Sequence, residues 1–297
     1  EAGYPKPFVI VLAASAALLE ALIPPSNAAI LYSALTYVPV SQTFAAGVFP
    51  GLILLLFMIA LVLFKCRHIE RSKPATNYKK LILGIKAFPA LLTPLIILGG
   101  IYGGLLTPSE SAAVSGIWAI FMGFLIYREL TIGSLLKSIK DTAITTSVIF
   151  SIIAMATFLS KVFTYTQFPQ FIIKSITDMG VGLNFFWFAM ALICLILGTF
   201  IEIVPVFYLT IPIFTAIILS FDQSLIHLYV VFVAFAGIGM ITPPVCVGIY
   251  TSASVIKENP GNAFKEVPLF TVVGILYGIL MILFPGLSTW LPNYLSG

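Results

Sequence analysis

Two pairs of adjacent prolines, Pro24-Pro25 and Pro243-Pro244, lie in runs that are otherwise apolar. Proline has no backbone N–H and its ring clashes with the preceding turn, so a helix reaching either pair must break and leave carbonyl oxygens unpaired. Such carbonyls are hard oxygen ligands, suited to sodium. Inside a bilayer they persist only where protein buries them or where they line a watery cavity. Both pairs are therefore candidate ion or substrate sites. Two carboxylates, Glu20 and Glu202, also lie within apolar runs, where an ionised, unpaired side chain is costly. Glu202 reads either as an ion or coupling group or as a structural contact to backbone donors. Glu20, just ahead of the first proline pair, reads as a proton carrier or cation partner facing a transport cavity, or as a carboxyl held neutral by a local hydrogen bond.

The elements that must position these groups are membrane helices. Of the 297 residues, 60% are hydrophobic and 9% are charged, well below the roughly 25% charge of soluble domains. The mean hydropathy is +1.11. Apolar runs of about twenty residues recur, each long enough to cross a bilayer. The fold class is an all-α polytopic membrane protein in contact with lipid. The net charge of +4 comes largely from one segment containing Lys65, Arg67, Arg71, Lys73, Lys79, Lys80 and Lys86. The positive-inside rule explains that loop as cytoplasmic, and nucleic-acid binding is not implied. Cys66, Cys194 and Cys246 allow at most one pair, and the last two should pack as small hydrophobes. His68 reads as a solvated charge, and His227 as an interfacial group at a helix start.

In chain order, a half-helix should end near Ala21 and a second should begin after Ser26, followed by a span over 43–64. A Pro- and Gly-rich apolar stretch covers 88–106. Thr107-Pro108-Ser109-Glu110 then has the form of a capping box, predicting a helix to about Tyr127. A polar segment over 128–141 precedes a Thr- and Ser-rich helix over 142–164, whose hydroxyls read as interhelical packing or, alternatively, as the lining of a pathway. A span over 182–197 follows. Residues 198–221, around Glu202 and Pro205 with Pro212 beyond, read as two short pieces of a re-entrant hairpin. A broken helix over 225–256 carries the second proline pair, and a last span covers 268–290, with Trp290 and Tyr294 at the interface.

Superposing the two proline pairs also places Ile30 on Ile249, Ser33 on Ser252 and Ala34 on Ala253. Paired Pro-interrupted segments in two halves point to the binding site of a secondary transporter. If the halves correspond, a first hairpin is expected ahead of residue 1. The repeats divide the chain into 1–66, closing the first repeat; 67–87, a basic cytoplasmic linker; 88–181, scaffold and arm helices of the second repeat; and 182–297, its hairpin, broken helix and last span. An inverted relation between the repeats and the positive-inside rule agree only if part of 142–164 lies along the membrane surface as an arm.

Gly3 to Phe8, Ile23-Pro24-Pro25-Ser26, Leu98 to Tyr102 with Thr107 to Ala112, and Gly239-Met240-Ile241-Thr242-Pro243-Pro244-Val245 occur in that order. Together they resemble the large membrane subunit of TRAP transporters, the DctM-like family, over essentially the whole chain, matching about its C-terminal two-thirds. The resemblance implies an inverted-repeat, elevator-type, sodium-coupled importer of the bacterial inner membrane. It also implies a small four-helix membrane subunit and a periplasmic binding protein that delivers an organic acid such as a dicarboxylate or sialic acid. Carried onto this chain, the sodium ligands are Ser15, Pro24, Pro25 and Ser26 at the first break and Gly237, Gly239, Thr242, Pro243 and Pro244 at the second, with Glu202 beside them. Glu20 and Asn27 are the substrate or coupling candidates. The chain departs from the family pattern at Ala16, Ala17, Glu20 and Phe235. Two rivals remain: a stand-alone sodium- or proton-coupled organic anion symporter, and an intramembrane enzyme. The enzyme would need a nucleophile and base within reach of each other, and the sequence puts no His at a span centre and no Asp inside a clear span.

Overall fold

Each proline pair ends one helix and lets another begin. The structure, a computed structural model, describes residues 4–67, 77–178 and 182–296. Among these, α1 (Lys6–Leu22) stops at Ile23, and α2 (Asn27–Thr36) starts behind the Ser26 cap at an angle of 45°. Far along the chain α10 (Leu225–Ile241) stops at Thr242, and α11 (Val247–Ile256) starts from Cys246, whose φ of 52° turns the chain sharply. In both pairs the Pro-Pro bond is cis.

The chain forms two compact units, residues 1–70 with 153–297, and residues 71–152. In the first unit, α1 packs against α10, α11 and α3 (Val40–Lys65). α10 is buried along nearly its whole length between α8 (Leu183–Phe200), α9 (Ile203–Ser220) and α12 (Val267–Leu283). An apolar helix without a polar face belongs in the middle of a bundle. Tyr32 of α2, Phe207 of α9 and Tyr229 and Phe232 of α10 stack as one aromatic cluster, the tightest pair being Phe207 and Phe232 at 4.5 Å. α7 (Phe168–Asp178) packs on α9, and α13 (Gly286–Ser296) on α3.

In the second unit α4 (Asn77–Tyr102) pairs with α5 (Pro108–Phe121). The Thr107 hydroxyl accepts from the Glu110 N–H at 3.3 Å, while a Glu110 carboxylate oxygen accepts from the Thr107 N–H at 2.8 Å. That is the capping box its sequence predicts. The Trp118 indole donates to the Pro89 carbonyl at 3.0 Å, tying α5 to α4.

Several elements differ from the sequence reading. The polar segment over 128–141 is mostly helix: α6 runs Ile132–Tyr165 over 34 residues, because Thr131 and Ser134 cap its start and no Pro or Gly interrupts it after Gly133. Thr145, Ser147 and Ser151 donate to carbonyls one turn back on that helix instead of bridging to a neighbour. The hairpin is α8 and α9, 18 residues each, turning at Ile201-Glu202, and Pro212 leaves α9 continuous. The last span breaks at Phe284-Pro285 with a bend of 55° between α12 and α13. Of the basic segment, 68–76, including His68, Arg71 and Lys73, lies outside the described residues, and Lys79, Lys80 and Lys86 belong to α4.

Among the described residues, five helices are long and apolar enough to span a membrane, or seven if each bent pair counts as one span.

Candidate functional site

Two chain breaks and a hairpin tip meet at one point. Ala17 and Glu20 of α1, both exposed, Ile203 at the start of α9, Gly237 and Met240 of α10 and Gly248 of α11 share a small, partly open cavity of about 110 Å³. It sits beside the ends of α1 and α10, where the helices give way to prolines. Glu20 is the one charged side chain on its wall, and the other lining groups are apolar. Gly237 lies against Leu18, leaving no room for a side chain between α1 and α10.

The first break is built from donors and acceptors at close range. Ser26 is buried and caps α2 by accepting from the Ala29 N–H at 3.3 Å. Its hydroxyl donates to the Ala21 carbonyl at 2.9 Å. That carbonyl also accepts from the Tyr229 hydroxyl of α10. Tyr32 answers in the other direction, donating from α2 to the Leu225 carbonyl at the start of α10 at 2.6 Å. The two broken helices are thus latched by reciprocal tyrosine bonds whose rings lie 5.1 Å apart. Ser15 is fully buried on α1, and its hydroxyl oxygen has no hydrogen-bond partner. A buried hydroxyl left unpaired is expensive, and a cation is one ligand that would satisfy it.

The second break differs. The Thr242 hydroxyl is half-buried, donates to the Ile238 carbonyl at 2.8 Å and lies 3.4 Å from the Thr271 hydroxyl of α12. Pro243 and Pro244 are exposed, whereas Pro24 and Pro25 are half-buried. Gly239 is buried where α10 crosses α8. A methyl there would lie 2.6 Å from the Leu195 carbonyl oxygen and 2.7 Å from the Gly198 Cα. Its place in the sequence motif is therefore explained first by helix contact. Phe235 is buried against Gly278 of α12, so an apolar contact occupies the position that departs from the family pattern.

The structure gathers Glu20 and Gly237 on the cavity wall and sets Ser15 on the same helix as Glu20. Asn27, exposed at the first position of α2, is not among the cavity's lining residues. Glu202 lies between the two apolar helices of the hairpin. It is exposed at the hairpin turn, capping position of α9, because the chain breaks there and carries it out of the helix. His227 corrects the interfacial expectation: it is 1% exposed, its Nδ1 is 2.8 Å from the Ser288 hydroxyl, and its ring lies 5.0 Å from that of Trp187. Cys194 and Cys246 are buried and free, as expected of small apolar groups. Sequence reasoning missed Tyr229, although a tyrosine within a largely apolar helix signals a hydroxyl in need of a partner.

Two kinds of likeness accompany this geometry. Residues 1–287 match the family model described as "Tripartite ATP-independent periplasmic transporter, DctM component". A C4-dicarboxylate TRAP transporter large permease protein DctM of Vibrio cholerae is 34% identical over 317 aligned positions, covering 99% of this chain and 70% of the relative. Its counterpart in Pseudomonas aeruginosa is 30% identical, covering 99% and 69%. An ectoine TRAP transporter large permease protein of Halomonas elongata is 27% identical, again covering 99% and 69%.

Proposed function

This chain belongs to the DctM component family of tripartite ATP-independent periplasmic transporters, multi-pass proteins of the bacterial inner membrane, and from that premise we propose that it carries a small organic acid inward, coupled to sodium. The observation that supports this reading best is the meeting of both broken helices and the hairpin start around one cavity, with the unpaired Ser15 hydroxyl on α1. Sodium, as the coupling ion, would take Ser15 and freed carbonyls near Pro24, Pro25 and Ser26. At the second break it would take Thr242 and carbonyls near Gly237, Gly239, Pro243 and Pro244. The hydroxyl and carbonyl oxygens present fit a hard monovalent cation, although the Ala21 carbonyl is already engaged by Ser26 and Tyr229. Glu202, at the exposed turn, joins an ion site only if that turn closes over the cavity.

The tyrosine latch supports an elevator reading, because it lets the broken helices travel together instead of opening against each other. The positive ends of the half-helices α2 and α11 favour the carboxylate of the cargo. A small four-helix membrane subunit would anchor the complex, and a periplasmic binding protein would deliver the acid. The relatives' names give C4-dicarboxylate and ectoine as their cargoes, so an organic acid is the class carried over.

Uptake into proteoliposomes containing the full-length large subunit and its small partner tests the reading. Uptake that needs both a sodium gradient and the binding protein is the expected result. Uptake without the binding protein would instead identify a stand-alone symporter, and uptake driven by protons alone would overturn sodium coupling.

A further inference from the structure

Glu20 stands on the wall of the cavity, and among the described residues no positive side chain lines it. Among the described residues the ion pairs are Lys6 with Glu258 and Lys65 with Glu266, and neither involves Glu20. The rest of the wall is small or apolar, represented by Ala17, Ile203, Gly237 and Met240. A partly open pocket whose wall carries a carboxylate and, among the described residues, no positive side chain disfavours a dianion, since like charges repel, the more so once a bound cargo displaces water. The same site attracts a cationic head, and about 110 Å³ admits an ammonium or amidinium group with its nearest carbons.

We propose that Glu20 makes this transporter select zwitterionic acids, compact molecules carrying a positive nitrogen beside the carboxylate, over dicarboxylates. The inference rests on the cavity being the substrate site, as the proposed function has it. The carboxylate of the cargo then lies toward the half-helix ends and its nitrogen toward Glu20, so the two charges fix its orientation.

The test uses purified full-length large subunit with its small partner, without the binding protein, so that the membrane subunits' own preference is read. Thermal shift in sodium is measured with succinate, aspartate and proline as probes. Aspartate is succinate with one added ammonium group, and proline is a compact zwitterion. The wild type is expected to be stabilised by proline and aspartate at concentrations at least tenfold lower than succinate requires. Glu20→Gln should lose that preference while Glu20→Asp keeps it. Because Glu20 is exposed and outside every described ion pair, the unliganded unfolding temperature of both variants should match the wild type. Equal or stronger response to succinate in the wild type overturns the proposal and leaves the sodium-coupled importer reading standing. Retention of the preference in Glu20→Gln also overturns it. A wild type that responds to none of the three probes, with or without sodium, sinks the zwitterion assignment and the cavity's role as substrate site together.

Discussion

Ser15 and Tyr229 are both polar side chains buried in apolar helices, but their hydroxyls are in opposite situations. Ser15 has no partner in the protein, so Ser15→Ala removes no internal hydrogen bond and abolishes a buried, unsatisfied group. Such a change is expected to leave the apparent unfolding temperature in sodium-free buffer unchanged or slightly raised, while the sodium concentration for half-maximal uptake rises several-fold. Unchanged sodium dependence would remove Ser15 from the ion site. Tyr229 is the converse. Its hydroxyl holds the Ala21 carbonyl, so Tyr229→Phe is expected to lower stability by about 1 kcal/mol, the net worth of a typical hydrogen bond. Neither situation was legible in the sequence. Serine in a small-residue run looks the same whether paired or not, and the contact from Tyr229 to Ala21 joins opposite ends of the chain.

Elements were legible wherever their ends are set by local chemistry. The proline pairs break helices through a missing donor and a steric clash, so the ends of α1, α2 and α10 fell close to where the sequence put them. The Thr107 cap is equally local. Elements whose limits depend on context were harder. Lysines and serines over 128–141 resemble a loop by polarity, yet they are acceptable helix formers and α6 runs through them. Helix crossings are set by backbone proximity, which supplies a test at this scale. Gly239→Ala must push α10 away from the backbone of α8, and overpacking of that kind costs about 1–3 kcal/mol. Gly116→Ala, in the interior of α5 with open space around it, should instead stabilise by up to about 1 kcal/mol through helix propensity. Unfolding temperatures in one detergent should move in opposite directions for the two variants; a loss for both would mean that α5 needs its glycine for a contact within the assembled complex.

Across the larger unit, two ion pairs fasten the outer ends of helices that the sequence keeps far apart. Lys6, opening α1, meets Glu258, just beyond α11, at 2.8 Å, and Lys65, closing α3, meets Glu266, ahead of α12, at 3.0 Å. The first pair joins the start of one broken helix to the end of the other, complementing the tyrosine latch between them. Hydrogen bonding to Lys6, with its charge attraction next, holds the Glu258 carboxyl below the usual carboxylate range. A group whose folded-state pKa is lowered stabilises the fold fully above its unfolded value, about 4.3 for glutamate. That contribution is lost as pH falls through the lower, folded value. Between pH 7 and pH 5 the pair should therefore add no pH dependence. Below about pH 4 the wild type should lose its margin over Glu258→Gln and the two unfolding curves should converge. Because the pair is exposed, the margin should be small at every pH and shrink further in high salt. A margin that persists into strong acid would mean that Glu258 acts through packing or through its neutral hydrogen bonds, and the charge link between the two broken helices would have to be abandoned.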